Sequence, residues 1–211
     1  LSGTFTEGCH VIDATNFLVT PGLIDLHTHT FPTRAVIGIE ADTIGVQQGV
    51  TTVVDAGSAG AHTFPDFVKE VIDNSETDVL AWLNISRYGL CRGLSELSRI
   101  EDLEPEKTVE LIRKYPSIVG VKARMSRSVV KDRGIEPLKI AKRAAREAGV
   151  PLMVHIGNSP PDLDEILLLL EEGDIVTHAF HGKRGGILSD SGELIPAASR
   201  ALDRGVLFDL G

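Results

Sequence analysis

His27 and His29 stand two apart in Pro21-Gly22-Leu23-Ile24-Asp25-Leu26-His27-Thr28-His29, at the end of an apolar run. Side chains at i and i+2 of a strand lean to the same side. Both imidazoles therefore project together from one strand end. Imidazole is the commonest protein ligand for transition metals, and a same-face pair supplies half of a metal site. A lone His-x-His pair would equally serve as two strand-end histidines held by core or backbone hydrogen bonds. Residues farther along favour the metal. Lys122 closes Val119-Gly120-Val121-Lys122, His155 closes Leu152-Met153-Val154-His155, and His178 follows Ile175-Val176-Thr177. Asp55, Ser86 and Asp209 end the other apolar runs at a similar period. In a barrel of parallel strands these ends converge on one mouth, where barrel enzymes place their chemistry. A metal centre built from His27, His29, His155 and His178 is the expectation.

Lys122 conflicts with that centre as long as it is an ammonium. It would repel a divalent cation, and burying it unpaired is costly. Two arrangements remove the conflict. The amine pairs with a nearby carboxylate or a phosphate-like ligand. Or its pKa is lowered, it adds carbon dioxide, and the resulting carbamate offers two anionic oxygens able to bridge two metals.

The elements that must position these residues alternate along the chain. Strands are predicted over 22–27, 51–55, 79–85, 118–123, 151–155, 174–178 and 206–210, and helices over 40–48, 62–73, 105–115, 136–148, 162–172 and 193–204. The strand texts lack polar alternation, as expected of parallel strands covered on both faces. Gly49, Gly149, Gly173 and Gly205 mark helix ends, while Pro105 and Pro137 sit in first helical turns. This pattern predicts an α/β fold of βα units with right-handed crossovers, a TIM-type (β/α) barrel with seven of eight strands visible. Residues 1–20, with short strands expected around Ala14-Thr15-Asn16, read as the remnant of a small β-sandwich domain; the barrel occupies 21–211. The 86–104 connection is long for a βα loop and is expected to be either a partial lid over the site or an ordered surface insertion.

Composition narrows the partners. The chain has 211 residues, a formal net charge of −9 and no cluster of basic residues, which argues against nucleic acid or anionic membranes as partners. Its apolar runs are shorter than a membrane helix requires. Cys9 and Cys91 are far apart, and two lone thiols suit a reducing, cytoplasmic setting.

Taken together, the His-x-His stretch, Gly49-Val50-Thr51-Thr52, Lys122, His155 and His178 resemble the amidohydrolase superfamily. Two longer stretches, Gly49 to Gly60 and Gly120-Val121-Lys122-Ala123-Arg124-Met125-Ser126, look like its amidohydrolase/deacetylase, dihydroorotase-like branch. The resemblance covers residues 11–211. It implies that His27 and His29 hold one metal, that a carboxylated Lys122 bridges, and that His155 and His178 hold the second, with zinc the expected ion of both. It further implies a homo-oligomeric enzyme that hydrolyses an ester or amide of a small molecule, such as an acetylated small acid. A cyclic amidohydrolase and a non-catalytic structural relative are the alternatives. Two departures stand out. The family's strand-eight aspartate, its general base, is absent from this sequence, so the chain reads as a fragment and its catalytic base is unassigned. And Thr30-Phe31 follows His29 where true dihydroorotases carry a carboxylate-gripping arginine. Arg124, His181 and Asn84 are the candidates for substrate contact. Asp25 is expected to support the site from deeper in the barrel, Asp209 to line it without ligating, and His62 to open a helix. The pocket is expected from loops 30–39, 56–62, 86–104 and 180–192.

Overall fold

The computed structural model describes residue 8 and residues 11–211. His10 and Cys9 lie outside the described residues. Seven strands form one wholly parallel sheet in sequential order: β1 (Leu23–Thr28), β2 (Val50–Gly60), β3 (Asp78–Asn84), β4 (Ile118–Met125), β5 (Leu152–Ile156), β6 (Ile175–Thr177) and β7 (Leu207–Phe208). The sheet curls into an open part-barrel. Helices α1 (Ala41–Ile44), α2 (Phe64–Glu70), α3 (Pro105–Lys114), α4 (Arg127–Val130), α5 (Glu136–Ala148), α6 (Leu163–Leu168) and α7 (Pro196–Asp203) fill the crossovers. Among the described residues no helix is long and apolar enough to cross a membrane.

Strand alternation divides the core into two layers. Val53, Leu83, Val121, Leu152 and Val154 face outward and pack with the helices in the large cluster. Val54, Ala56, Trp82, Met153 and Ile175 face inward and form a second, smaller cluster. Two residues farther along the same inward face come the polar side chains: Asn84 after Trp82, Lys122 after Gly120, His155 after Met153 and Thr177 after Ile175. The parallel register lines them up, pairing Asn84 with Lys122, Arg124 with His155 and His155 with Thr177. Gly120 has to be small, since a Cβ there would come 2.2 Å from the Trp82 ring.

Several expected boundaries move, each for a local reason. The helix expected over 40–48 breaks at Gly45, where Thr77 packs so closely that a Cβ would meet its hydroxyl at 2.1 Å. The helix expected over 162–172 ends at Leu168. The Asp174 carboxylate captures the Glu171 amide at 2.8 Å and turns the chain toward β6. Strand β2 runs on to Gly60, through what reads as a pocket loop, by way of a bulge after Ala56. The short strands expected near residue 16 do not form: residues 11–22 carry no strand, and Asn16 sits in a turn at φ 69°.

Candidate metal centre

The four histidines meet at the C-terminal ends of their strands. The His27 and His178 ring centroids are 4.6 Å apart, those of His155 and His178 4.7 Å, and those of His27 and His29 5.7 Å. His178 follows β6 at φ 62°, a left-handed conformation that costs a residue with a Cβ. That turn brings its ring back between His27 and His155. The side-chain oxygens of neighbouring strand ends engage Nδ1 of the first pair. Thr177 Oγ1 lies 2.6 Å from His27 Nδ1, and Ser58 Oγ 2.9 Å from His29 Nδ1. Ser58 is itself placed by Asp55, a buried carboxylate that accepts the amides of Thr30 (2.7 Å), Gly57 (3.1 Å) and Ser58 (2.7 Å). Asp55 therefore ties the turn after β1 to the bulge in β2.

Lys122 is fully enclosed. Its one contact of hydrogen-bond length is with Met153 Sδ, at 3.2 Å. Among the described residues no carboxylate reaches salt-bridge distance of its amine, so the structure gives no support to the ion-paired alternative. Burial lowers its pKa to about 7, against the opposing pull of Asp209. Room for its stem comes from Gly57 at φ 90°, where a Cβ would lie 2.8 Å from Lys122 Cγ. Burial also holds the imidazoles neutral. His29 is lowered to about 4 and His155 to about 2. His27 is pushed far below its ordinary range by burial and then by the Lys122 charge. His178 is lowered by the same two causes in the same order.

The remaining predicted site residues divide. Arg124, two past Lys122, points to the same side but is engaged: its Nη1 lies 3.1 Å from Glu96, whose side chain is only 3 % exposed. Burial raises the Glu96 pKa more than Arg124 lowers it. Glu96 comes from the 86–104 segment, an ordered insertion closed by an antiparallel bridge between Ser86 and Leu103. Asn84 commits both ends of its amide to backbone, donating to Gly57 O at 3.1 Å and accepting from Ser86 N at 3.0 Å. His181 accepts the Lys183 amide on Nδ1 at 3.1 Å and leaves a buried Nε2 without a partner. Asp209 has one oxygen on Thr177 and the other buried and unpartnered. Asp25 bonds its own strand end, accepting the His27 amide at 3.1 Å. His62 precedes α2 and lies 2.8 Å from Glu104. Sequence reasoning missed Thr177, Ser58 and Glu96. The first two are small hydroxyls whose partners lie in other strands, and the third sits in an insertion without a pattern.

Among the described residues no three His, Cys, Asp or Glu side chains close on one point as a finished cation cage. The chemistry of the donors nevertheless suits a cation. The imidazoles are uncharged, two of them have Nδ1 occupied so that Nε2 is outermost, and an acidic oxygen is orphaned beside them. Gly157 packs against Ser126, whose hydroxyl a Cβ there would meet at 2.8 Å, and that Cβ would lie in van der Waals reach of His155 Nε2.

No protein-family profile matches the chain. A deacetylase of Enterococcus faecalis is 41 % identical over 215 aligned residues, covering 100 % of this chain and 57 % of its own length. A crystal structure of an adenine deaminase superposes with a TM-score of 0.85 at 42 % identity, covering 89 % of this chain and 51 % of its own. A crystal structure of a dihydroorotase gives a TM-score of 0.84 at 37 % identity, covering 90 % of this chain and 51 % of its own. The chain thus spans about half the length of the relatives it matches. Neighbours of this kind imply a divalent metal cofactor. With a parallel part-barrel, clustered strand-end imidazoles and relatives at this level of identity, the chain belongs to the amidohydrolase superfamily.

Proposed function

We propose that this chain supplies the metal-holding face of a hydrolase of the deacetylase type, cleaving an ester or amide bond in an acetylated small acid. The observation that carries the reading is the meeting of four imidazoles and a buried lysine amine, touched only by the Met153 sulfur, at adjacent strand ends. The deacetylase relative agrees with it. In this reading His27 and His29 hold one divalent ion, zinc by preference, and His155 and His178 hold a second. Bound there, such ions would supply Lewis acidity toward a substrate carbonyl and toward water. Lys122 contributes the bridge. With a pKa near 7 a sizeable share of the amine is uncharged at neutral pH. Its nitrogen would attack carbon dioxide: an N–C bond forms as one C=O π bond opens onto its oxygen, one N–H proton passes to water, and the product is a carbamate anion. Arg124, with Glu96 steadying one of its nitrogens, offers its other N–H groups to a substrate carboxylate, and His181 offers its free Nε2 at the mouth. We place the enzyme in the cytoplasm, as a homo-oligomer.

The 37 % identical dihydroorotase favours a second reading, hydrolysis of a cyclic amide. Thr30-Phe31 in place of an arginine weighs against it. The test is a screen of the full-length, zinc-loaded protein on O-acetyl hydroxy acids, N-acyl amino acids and cyclic ureides. Turnover of the first two, abolished by chelator and restored by zinc, is the expected result. Turnover of ureides alone selects the second reading. Metal-free protein, indifferent to chelator, would mean a non-catalytic relative.

A further inference from the structure

Thr177 is fully buried at the end of β6, between an acid and an imidazole that lie far from it in the chain. Its hydroxyl oxygen is 2.6 Å from Asp209 Oδ1 and 2.6 Å from His27 Nδ1. A carboxylate oxygen only accepts, so the single hydroxyl hydrogen goes to Asp209. The hydroxyl is then left to accept from His27. That puts the imidazole proton on Nδ1 and leaves Nε2 as a bare lone pair. His29 has no such fixed assignment, because the Ser58 hydroxyl opposite it is free to donate or accept. Of the four clustered imidazoles, His27 is the one whose tautomer is dictated by a side-chain hydrogen bond of fixed direction.

We propose that Thr177 is a positioning residue for His27: anchored by Asp209, its hydroxyl fixes the Nδ1–H tautomer and aims the Nε2 lone pair into the imidazole cluster. Its consequence for metal binding rests on the function proposed above, whereas the tautomer itself does not. The two are separated by two readouts on the full-length protein. The first is the His27 tautomer in metal-free protein, read from its ring-nitrogen shifts by NMR. The second is zinc affinity, read by competition with a chromogenic chelator. Thr177→Val keeps the shape and removes the hydroxyl; Thr177→Ser keeps the hydroxyl and serves as the rescue. Wild type and Thr177→Ser are expected to show His27 protonated on Nδ1 and to bind zinc alike. Thr177→Val is expected to lose that tautomer preference and to bind zinc about 10- to 100-fold more weakly, the usual cost of removing such a support. A Thr177→Val protein with an unchanged tautomer and unchanged zinc affinity overturns the proposal, as does a Thr177→Ser protein that behaves like Thr177→Val. A tautomer that responds as expected in a protein that binds no zinc upholds the hydrogen-bond assignment and sinks the metal reading instead.

Discussion

Lys122 and the histidines around it behave as one set of ionisable groups whose ordinary charges the interior refuses. Lys122→Met replaces the amine with an apolar end of similar length against Met153. The change removes the cost of an unpartnered amine, so the metal-free variant should unfold at a higher temperature. It should also retain at least about tenfold less zinc, since a bridging ligand goes with the amine. Calorimetry and metal analysis on one preparation check both. The histidines predict a pH dependence. Their folded pKa values lie below the ordinary 6.5, so on acidification the unfolded chain takes up protons that the folded chain does not. Stability is therefore complete above about pH 6.5 and falls as pH drops toward 4 and below. Each imidazole contributes a slope of at most about 1.4 kcal/mol per pH unit. Denaturant midpoints of metal-free protein across that range should decline, and His155→Gln should make the decline shallower. An unchanged slope would mean that His155 is not held neutral by burial.

The strand ends hold these side chains in place through backbone devices. Asp55→Ala would strand the buried amides of Thr30, Gly57 and Ser58 and should cost about 3 kcal/mol or more in chemical denaturation. Gly57→Ala would force a side chain into a backbone of φ 90° and against Lys122, with an expected loss of about 1–3 kcal/mol and weaker metal retention. At this scale much was readable in advance. All seven strands lie where apolar runs without alternation place them, and α5 begins and ends on the expected residues, because Pro137 and Gly149 punctuate it. The site histidines were legible for the same reason: each ends a run. What escaped were features set by individual side-chain hydrogen bonds, some within a turn and one between distant segments. The continuation of β2 depends on the Asp55 hydrogen bonds, the early end of α6 depends on Asp174, and the burial of Arg124 depends on Glu96. None leaves a local periodic trace.

Viewed whole, the described sheet has two edges, β1 and β7, and both are apolar and uncovered: Leu23 is 60 % exposed, Ile24 66 % and Leu207 55 %. Open edges with apolar side chains recruit other strands. The 211-residue chain prepared alone should self-associate, and Leu23→Lys with Ile24→Lys should suppress this in light scattering. A monodisperse monomer without those changes would show that the edges are shielded by something other than another strand. The inward layer beneath the imidazoles has a further use. Trp82 is the chain's one tryptophan, enclosed in that layer with Met153, whose sulfur touches Lys122. The molecule thus carries a single indole one side chain below its imidazole cluster. Its emission should be blue-shifted, and a paramagnetic ion such as copper or cobalt should quench it on arrival, so that occupancy can be followed by light alone, with no substrate added.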